Sequence, residues 1–459
     1  QQVIDFYTYN SWLVADTLSH LAAAVKKLTR GQKTVGVFYG YLLQLCGGQR
    51  LQNAGHLALE QVLNDPNIDF VCSPTSYAFR QHGGLGTCHF MSLVDSVKLH
   101  GKLWFNENDV RTSLSPGKPG TWGRANDVPG DIIQQDKELA CVIGNGVAQW
   151  WFDVGANRYD HPDLLAALRR QDRVARSVLR LDRSPVEQVA LVVDPESLCY
   201  LKVGDVLGAE QLIRRLPTLH RSGRPVGHFL ASDLAALQRQ RLLIMACSFA
   251  PSAKQRADLE KLKSDGRVIV FLNGAGLYSN GVFDPEAMQD FIGIRIRMDE
   301  EPAKGTATFR HVPGFTDALA GQSFGAASYV QNPALLPDDS AAVVLASYAD
   351  RRPAVVAKRF PTWTAVYCAQ PQLPAAFWRQ LADLAGAHCY VAGEDVIWAS
   401  KSLVAISVHD AGERSIELPA PARVRELYSN TVVSDKAVSR FTWNFSQDSS
   451  CIFELTPEP

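Results

Sequence analysis

No two of the nine cysteines (Cys46, Cys72, Cys88, Cys141, Cys199, Cys247, Cys368, Cys389 and Cys451) stand in the C-x-x-C spacing of a structural zinc site or a dithiol redox pair, so neither is expected. Odd in number and scattered, they read as buried thiols. That mildly favours a reducing compartment, cytoplasmic over periplasmic or secreted. Charge of one sign is also missing. With 46 Lys and Arg against 47 Asp and Glu the net charge is -1, so neither a nucleic acid nor an anionic membrane is implied as a partner. No apolar run approaches the roughly 18 residues needed to cross a bilayer. The first residues, Gln1 to Asp5, lack a starting Met and a basic leader, which leads us to expect a chain that begins inside a longer protein or after processing. Low-complexity tracts and a full G-x-G-x-x-G are absent, and His89, His100 and His161 have no metal-ligand spacing. No cofactor and no metal is expected.

What is present is a chain of 459 residues, 46% hydrophobic and 20% charged, long enough for about three domains. A helical pattern runs from about Trp12 to Leu28, with Leu13, Leu18, Leu21, Ala22, Val25 and Leu28 on one side and Asn10-Ser11 as caps. Short apolar runs then begin near residues 34, 68, 102 and 149, separated by helical patterns. Strands alternating with helices at this pitch imply right-handed βαβ units and a parallel sheet.

The chemistry gathers at the carboxyl ends of these strands. Tyr39 and Tyr41 follow the first, Ser76, Tyr77 and Arg80 the second, Glu107, Asp109 and Arg111 the third, and Trp150, Trp151 and Asp153 the fourth. In a (β/α)8 barrel that is the catalytic face, and Tyr, Trp, Arg and carboxylates suit a sugar. Glu107 stands out, because the apolar run Leu103-Trp104-Phe105 ends in Asn106-Glu107-Asn108-Asp109 without a turn signal. The plain alternative is a salt bridge between Glu107 and Arg111. Trp104 and Asn106 are counted with the candidate substrate contacts. Four strands do not close a barrel, which needs eight.

After Pro185 the chain starts again with Val189 to Val193. The strands Val226 to Leu230, Leu242 to Ala246 and Val268 to Leu272 follow, a flavodoxin-like doubly wound pattern. Asn273-Gly274-Ala275-Gly276 reads as a plain turn in preference to a phosphate cradle. Cys247 ends a strand as amidotransferase nucleophiles do, but has no flanking glycines, so catalysis by it is not expected. The stretch 300–360 is hard to place. From about 396 the apolar period becomes two, as in a small antiparallel β-sandwich.

The succession Val35 to Tyr41, Asp69 to Tyr77, Gly101 to Thr112 and Trp150 to Asp153, with the two regions after it, resembles the β-galactosidases of glycoside hydrolase family 42, as a divergent relative within their clan. The resemblance implies the C-terminal half of a (β/α)8 barrel over residues 1–184, strands five to eight. It also implies a flavodoxin-like trimerisation domain over 185–394 and a C-terminal β-sandwich over 395–459. It implies a retaining exo-glycoside hydrolase acting on a carbohydrate substrate, assembled as a homotrimer. The nucleophile of this family lies on strand seven, where Glu107 falls. The acid/base glutamate lies at the end of strand four and is expected upstream of Gln1. The opposite register, with Glu107 as the acid, needs four further βα units where one follows. Two alternatives remain: a non-catalytic carbohydrate-binding or assembly subunit, and a polysaccharide lyase on a related barrel.

Overall fold

The computed structural model describes every residue except 46–49, 84–85, 154, 156 and 458–459. Cys46 and the expected strand end at Val154 therefore lie outside the described residues. The first unit is a parallel four-stranded sheet in simple sequence order: β1 (Gly36–Phe38), β2 (Phe70–Ser73), β3 (Leu103–Asn108) and β4 (Ala148–Trp151). Helices α1 (Gln2–Leu28), α2 (Leu42–Leu45), α3 (Leu59–Asn64), α4 (Val94–Leu99), α5 (Val128–Gly144) and α6 (Pro162–Ser177) separate and flank the strands.

Local chemistry sets several helix starts. The Asp127 side chain accepts the Gly130 N–H at the head of α5, and His161 accepts that of Asp163 at the head of α6. Both helices also carry a proline in their first turn, where no N–H is missed. Helix α1 differs from expectation. It begins at Gln2, ten residues before Trp12, and Ser11 lies buried inside it with Ala15 and Ala22. Tertiary packing of that small-residue face carries the helix through the Asn10-Ser11 pair, whose modest helix propensity cannot stop it. Leu13, Leu21, Val25 and Leu28, expected on the packed side, are exposed.

The second sheet has nine strands. Its parallel part runs β6 (Val226–Leu230), β5 (Val189–Val193), β7 (Leu242–Ala246), β8 (Arg267–Leu272) and then Trp363–Cys368, the order 2-1-3-4-5 of a doubly wound sheet. Every residue of β5 to β8 is buried, as continuous apolar strands covered on both faces must be. The stretch that sequence could not place supplies antiparallel strands on one side, Pro353–Arg359, Val343–Tyr348, Ala307–Phe309 and Ser323–Phe324. Among the described residues no helix is long and apolar enough to cross a membrane.

The last region corrects an expectation. It is one five-stranded antiparallel sheet, Val396–Ser400, Leu403–Ser407, Ser450–Pro457, Gly412–Glu426 and Thr431–Phe445, rather than two sheets face to face. Alternation explains it. Trp398, Leu403, Ala405 and Ile452 join the main core on one face, while Ile397, Val404, Ile406 and Phe453 build a second core on the other with Ile416, Phe441 and Phe445. The two 15-residue strands supply the other side of that second core from within the same sheet. Helix α5 lies against the first face. A Cβ on Gly144 would come within 2.4 Å of Trp398 Cβ, so only glycine allows this approach. Tyr428 Oη donates to the Asp136 carbonyl of the same helix at 2.6 Å.

Candidate active site

Strand alternation divides the four-stranded sheet into two chemistries. Along β3, Trp104, Asn106 and Asn108 are buried, while Leu103, Phe105 and Glu107 are more open. The buried set faces the helices: Trp104 packs on Phe90, and Asn108 Nδ2 donates to Gln135 Oε1 of α5 at 2.8 Å. On the opposite face Phe70 lies across Gly36, where a Cβ would meet its ring, and touches Phe105 edge-on at 5.7 Å. Phe38 and Leu103, on that same face, are 53% and 46% exposed. This is an apolar floor with no layer over it among the described residues.

Glu107 stands on this open face at its carboxyl end. The parallel register sets it beside Trp150 and sets Asn108 beside Trp151, so Trp150 shares its face and Trp151 does not. Trp150 hydrogen-bonds to Cys72, whose thiol burial pushes up to about 12, with the Glu107 charge adding to that rise. Asp109 follows just past the strand end. Its carboxylate accepts from Tyr77 Oη at 3.2 Å and from Arg80 Nη1, a guanidinium with no exposed surface. Arg80 also donates to the Trp122 carbonyl at 2.8 Å and lies over the Tyr77 ring. Trp122 packs on Tyr77 at 4.6 Å and carries Arg111 on its other contact, 4.8 Å from its ring centre.

The electrostatics follow from this arrangement. Glu107 is pushed up to about 7, first because burial strips water from the carboxylate, then because Asp109 repels it; Arg80 pulls the other way. Arg80 is already committed to Asp109, so Glu107 gets only part of its field. Tyr41 and Tyr77 are both raised by burial and by the negative charge of Glu107 and Asp109, so both phenols are neutral, and Tyr77 donates to Asp109.

Helix α5 supports the site from behind. Gln134 Nε2 donates to the Arg80 carbonyl at 2.5 Å, and Thr75 Oγ1 donates to the buried Glu138 carboxyl at 3.0 Å. His56 shapes the loop after β1. Its Nδ1 accepts from Gly40 and Tyr41 N–H groups at 2.9 and 3.3 Å, and burial holds it down at about 4, so it is neutral.

Of the residues singled out from sequence, Glu107, Asp109, Tyr41, Tyr77, Arg80, Arg111 and Trp150 come together. The rest do not. Tyr39 is buried, stacked on His56, and its hydroxyl donates to the Gly55 carbonyl at 2.7 Å. Trp104, Asn106 and Trp151 face the helices, because their parity along the strands is opposite to that of Glu107 and Trp150. Asp153 is exposed and accepts the Arg158 N–H at 3.2 Å, a loop cap. Trp150 had a sequence signal, its parity with Glu107 across the pair. Trp122 had none, since it sits in the loop Pro116-Gly117-Lys118-Pro119-Gly120-Thr121-Trp122-Gly123. Among the described residues no group of three or more His, Cys, Asp or Glu could hold a metal.

No protein-family model matches the chain, and no curated protein matches it by sequence. Solved structures match it by fold. A β-galactosidase from Rahnella sp. R3 aligns with 98% of this chain and 68% of its own at 13% identity and a TM-score of 0.63. One from the haloarchaeon Halorubrum lacusprofundi aligns with 98% and 68% at 14% identity and a TM-score of 0.59. A catalytic mutant of a GH42 β-galactosidase from G. stearothermophilus aligns with 98% and 75% at 13% identity and a TM-score of 0.52. This chain thus resembles, in its fold, the β-galactosidases of glycoside hydrolase family 42.

Proposed function

We propose that this chain carries the nucleophile-bearing portion of a retaining exo-glycoside hydrolase, with a β-galactoside as the favoured substrate class. The observation that carries the reading is the open face itself: Glu107, Trp150, Tyr41 and the Tyr77–Asp109–Arg80 group meet at the carboxyl end of a parallel sheet. An indole and phenols offer ring faces to sugar C–H groups, Arg111 and Asp109 offer partners for hydroxyls, and Glu107 is placed to attack an anomeric carbon.

In this reading β1 to β4 are strands five to eight of a (β/α)8 barrel, and a second set of four βα units pairs with the edges at β1 and β4. It would cover the bare floor of Phe38, Phe70, Leu103 and Phe105 and bring the acid/base carboxylate to about 5 Å from Glu107. Helix α1 supports this. Its outward face carries Val3, Phe6, Leu13, Leu21 and Leu28, all exposed, with no charged residue between them on that side. The nine-stranded sheet would then serve trimer assembly, with domain boundaries near 184 and 394.

One observation favours a second reading. A carboxyl near 7 is the property of an acid/base, which must hold a proton at neutral pH, and a nucleophile must be ionised. If Glu107 is the nucleophile, the covering units must supply donors that lower it. Azide rescue of Glu107→Ala, in a chain extended to include those units, separates the two. An α-glycosyl azide product identifies the nucleophile and a β-glycosyl azide the acid/base. Failure of a 2-fluoro glycoside to label Glu107 would remove the nucleophile reading, and unchanged turnover by Glu107→Gln would remove both.

A further inference from the structure

A cavity of about 280 Å³ lies far along the chain from Glu107, at the carboxyl ends of β7 and β8 in the nine-stranded sheet. In open α/β sheets this is the end where ligands bind. Its wall is aromatic. Tyr200 and Tyr278, both half-buried, meet at 4.6 Å between ring centres, and Phe283 closes on Tyr278 edge-on at 5.7 Å. Across from them the lining is polar: Asp205, Asn273 and Gln331. Gln331 is only 5% exposed, and among the described residues its amide oxygen has no hydrogen-bond partner, while its amide nitrogen donates to the Ala369 carbonyl. A buried acceptor left without a donor is destabilising unless something fills the valence.

The charge of the lining limits what that something is. Among the described residues no Lys or Arg lines the cavity, and Asp205 contributes a carboxylate. A phosphate would find the Asn273-Gly274 turn but no cation, so the lining disfavours an anion. Aromatic faces beside unsatisfied hydroxyl partners suit a neutral polyol with one apolar C–H surface. We propose that this cavity is a binding site for a neutral mono- or disaccharide, stacked on Tyr278 and Tyr200 and hydrogen-bonded through its hydroxyls to the polar wall of Asp205, Asn273 and Gln331. It is a separate site from Glu107 and stands even if the hydrolase reading fails.

The test is titration of the chain with galactose, mannose and lactose, followed by saturation-transfer NMR and calorimetry. At least one sugar is expected to bind saturably, and Tyr278→Ala and Gln331→Leu are each expected to weaken it about tenfold, the size of one stacking or one buried hydrogen-bond contact. Glu107→Gln should leave this binding unchanged. Phe283→Ala, at an exposed rim position that cannot unfold the sheet, should weaken it less. The proposal is overturned if none of the three sugars saturates, if binding survives both interior variants, or if Glu107→Gln abolishes it. It is also overturned if Phe283→Asp changes the oligomeric state while no sugar binds, which would make the cavity part of a subunit contact.

Discussion

The two parallel sheets of this molecule are built from the same βα units and treat their faces in opposite ways. In the nine-stranded sheet β5 to β8 are buried throughout, whereas in the four-stranded sheet the pattern of β1 is exposed–buried–exposed and that of β3 alternates along its length. Position within the strand is thus without consequence in one sheet and decides everything in the other. A carboxylate at a strand end of the covered sheet, such as Asp194, is buried and held by the Ser197 hydroxyl. Glu107, at a strand end of the open sheet, faces a bare floor.

Four experiments would break or sharpen this contrast. The largest effect is expected for Glu107→Gln in a chain extended by the covering units: a loss of turnover on the order of 10⁴-fold, measured with aryl glycosides. Cavity-forming substitutions should separate the sheets next. Ile244→Ala in β7 should cost about 3 kcal/mol by denaturant unfolding, and Leu103→Ala on the open face less than about 1 kcal/mol. Equal costs would mean that the floor is covered in solution.

The third experiment concerns the joint between the two sheets. Three buried histidines meet there: His220 Nε2 lies 3.1 Å from His228 Nε2, and His89 stacks on His220. Burial depresses all three, His228 to about 4, with His228 also opposing charge on the other two. Their folded values lie below the ordinary histidine value near 6.5, so the unfolded chain binds more protons between about 4 and 6.5. The histidines' contribution to stability should therefore be full above pH ~6.5 and be lost as pH drops through that window, against the opposite contribution of carboxyls raised into it, Glu107 and Glu187 to about 7 and Asp194 to about 6. His228→Gln should flatten the pH dependence of the melts between pH ~7 and ~4, and an unchanged dependence would contradict this. The smallest effect is a titration shift: Asp109→Asn removes the repulsion on Glu107 and frees Arg80 toward it, so the Glu107 titration should move down from about 7. Carboxyl NMR would follow it.

Much of this was legible in the sequence, and the misses have physical causes. The strand starts and the doubly wound character of the middle sheet follow from apolar runs too continuous for half-exposed strands. The grouping of Glu107, Asp109, Tyr41, Tyr77 and Arg80 was legible because strand ends in parallel sheets collect side chains on one edge. Trp104, Asn106 and Trp151 were misjudged because proximity along the chain was allowed to outweigh parity; a one-residue step turns a side chain to the other face. Tyr39 was lost to the loop that His56 organises. Trp122 was illegible, since its place depends on a cation contact and on a backbone carbonyl that Arg80 finds from another loop. The single terminal sheet was misread because two long strands supply, from within the same sheet, the side of the core that a sandwich would take from a separate layer.

Gly144 ends helix α5 against Trp398, and the middle of that same helix holds Gln134, Gln135 and Glu138 behind the Glu107 site. About ten residues, or about 15 Å, of rigid helix join the two. The terminal sheet is therefore the anvil against which the site is set. A single methyl group added at position 144 would tilt this rod at its base, and its middle would carry the displacement to Asn108 and to the loop that holds Arg80.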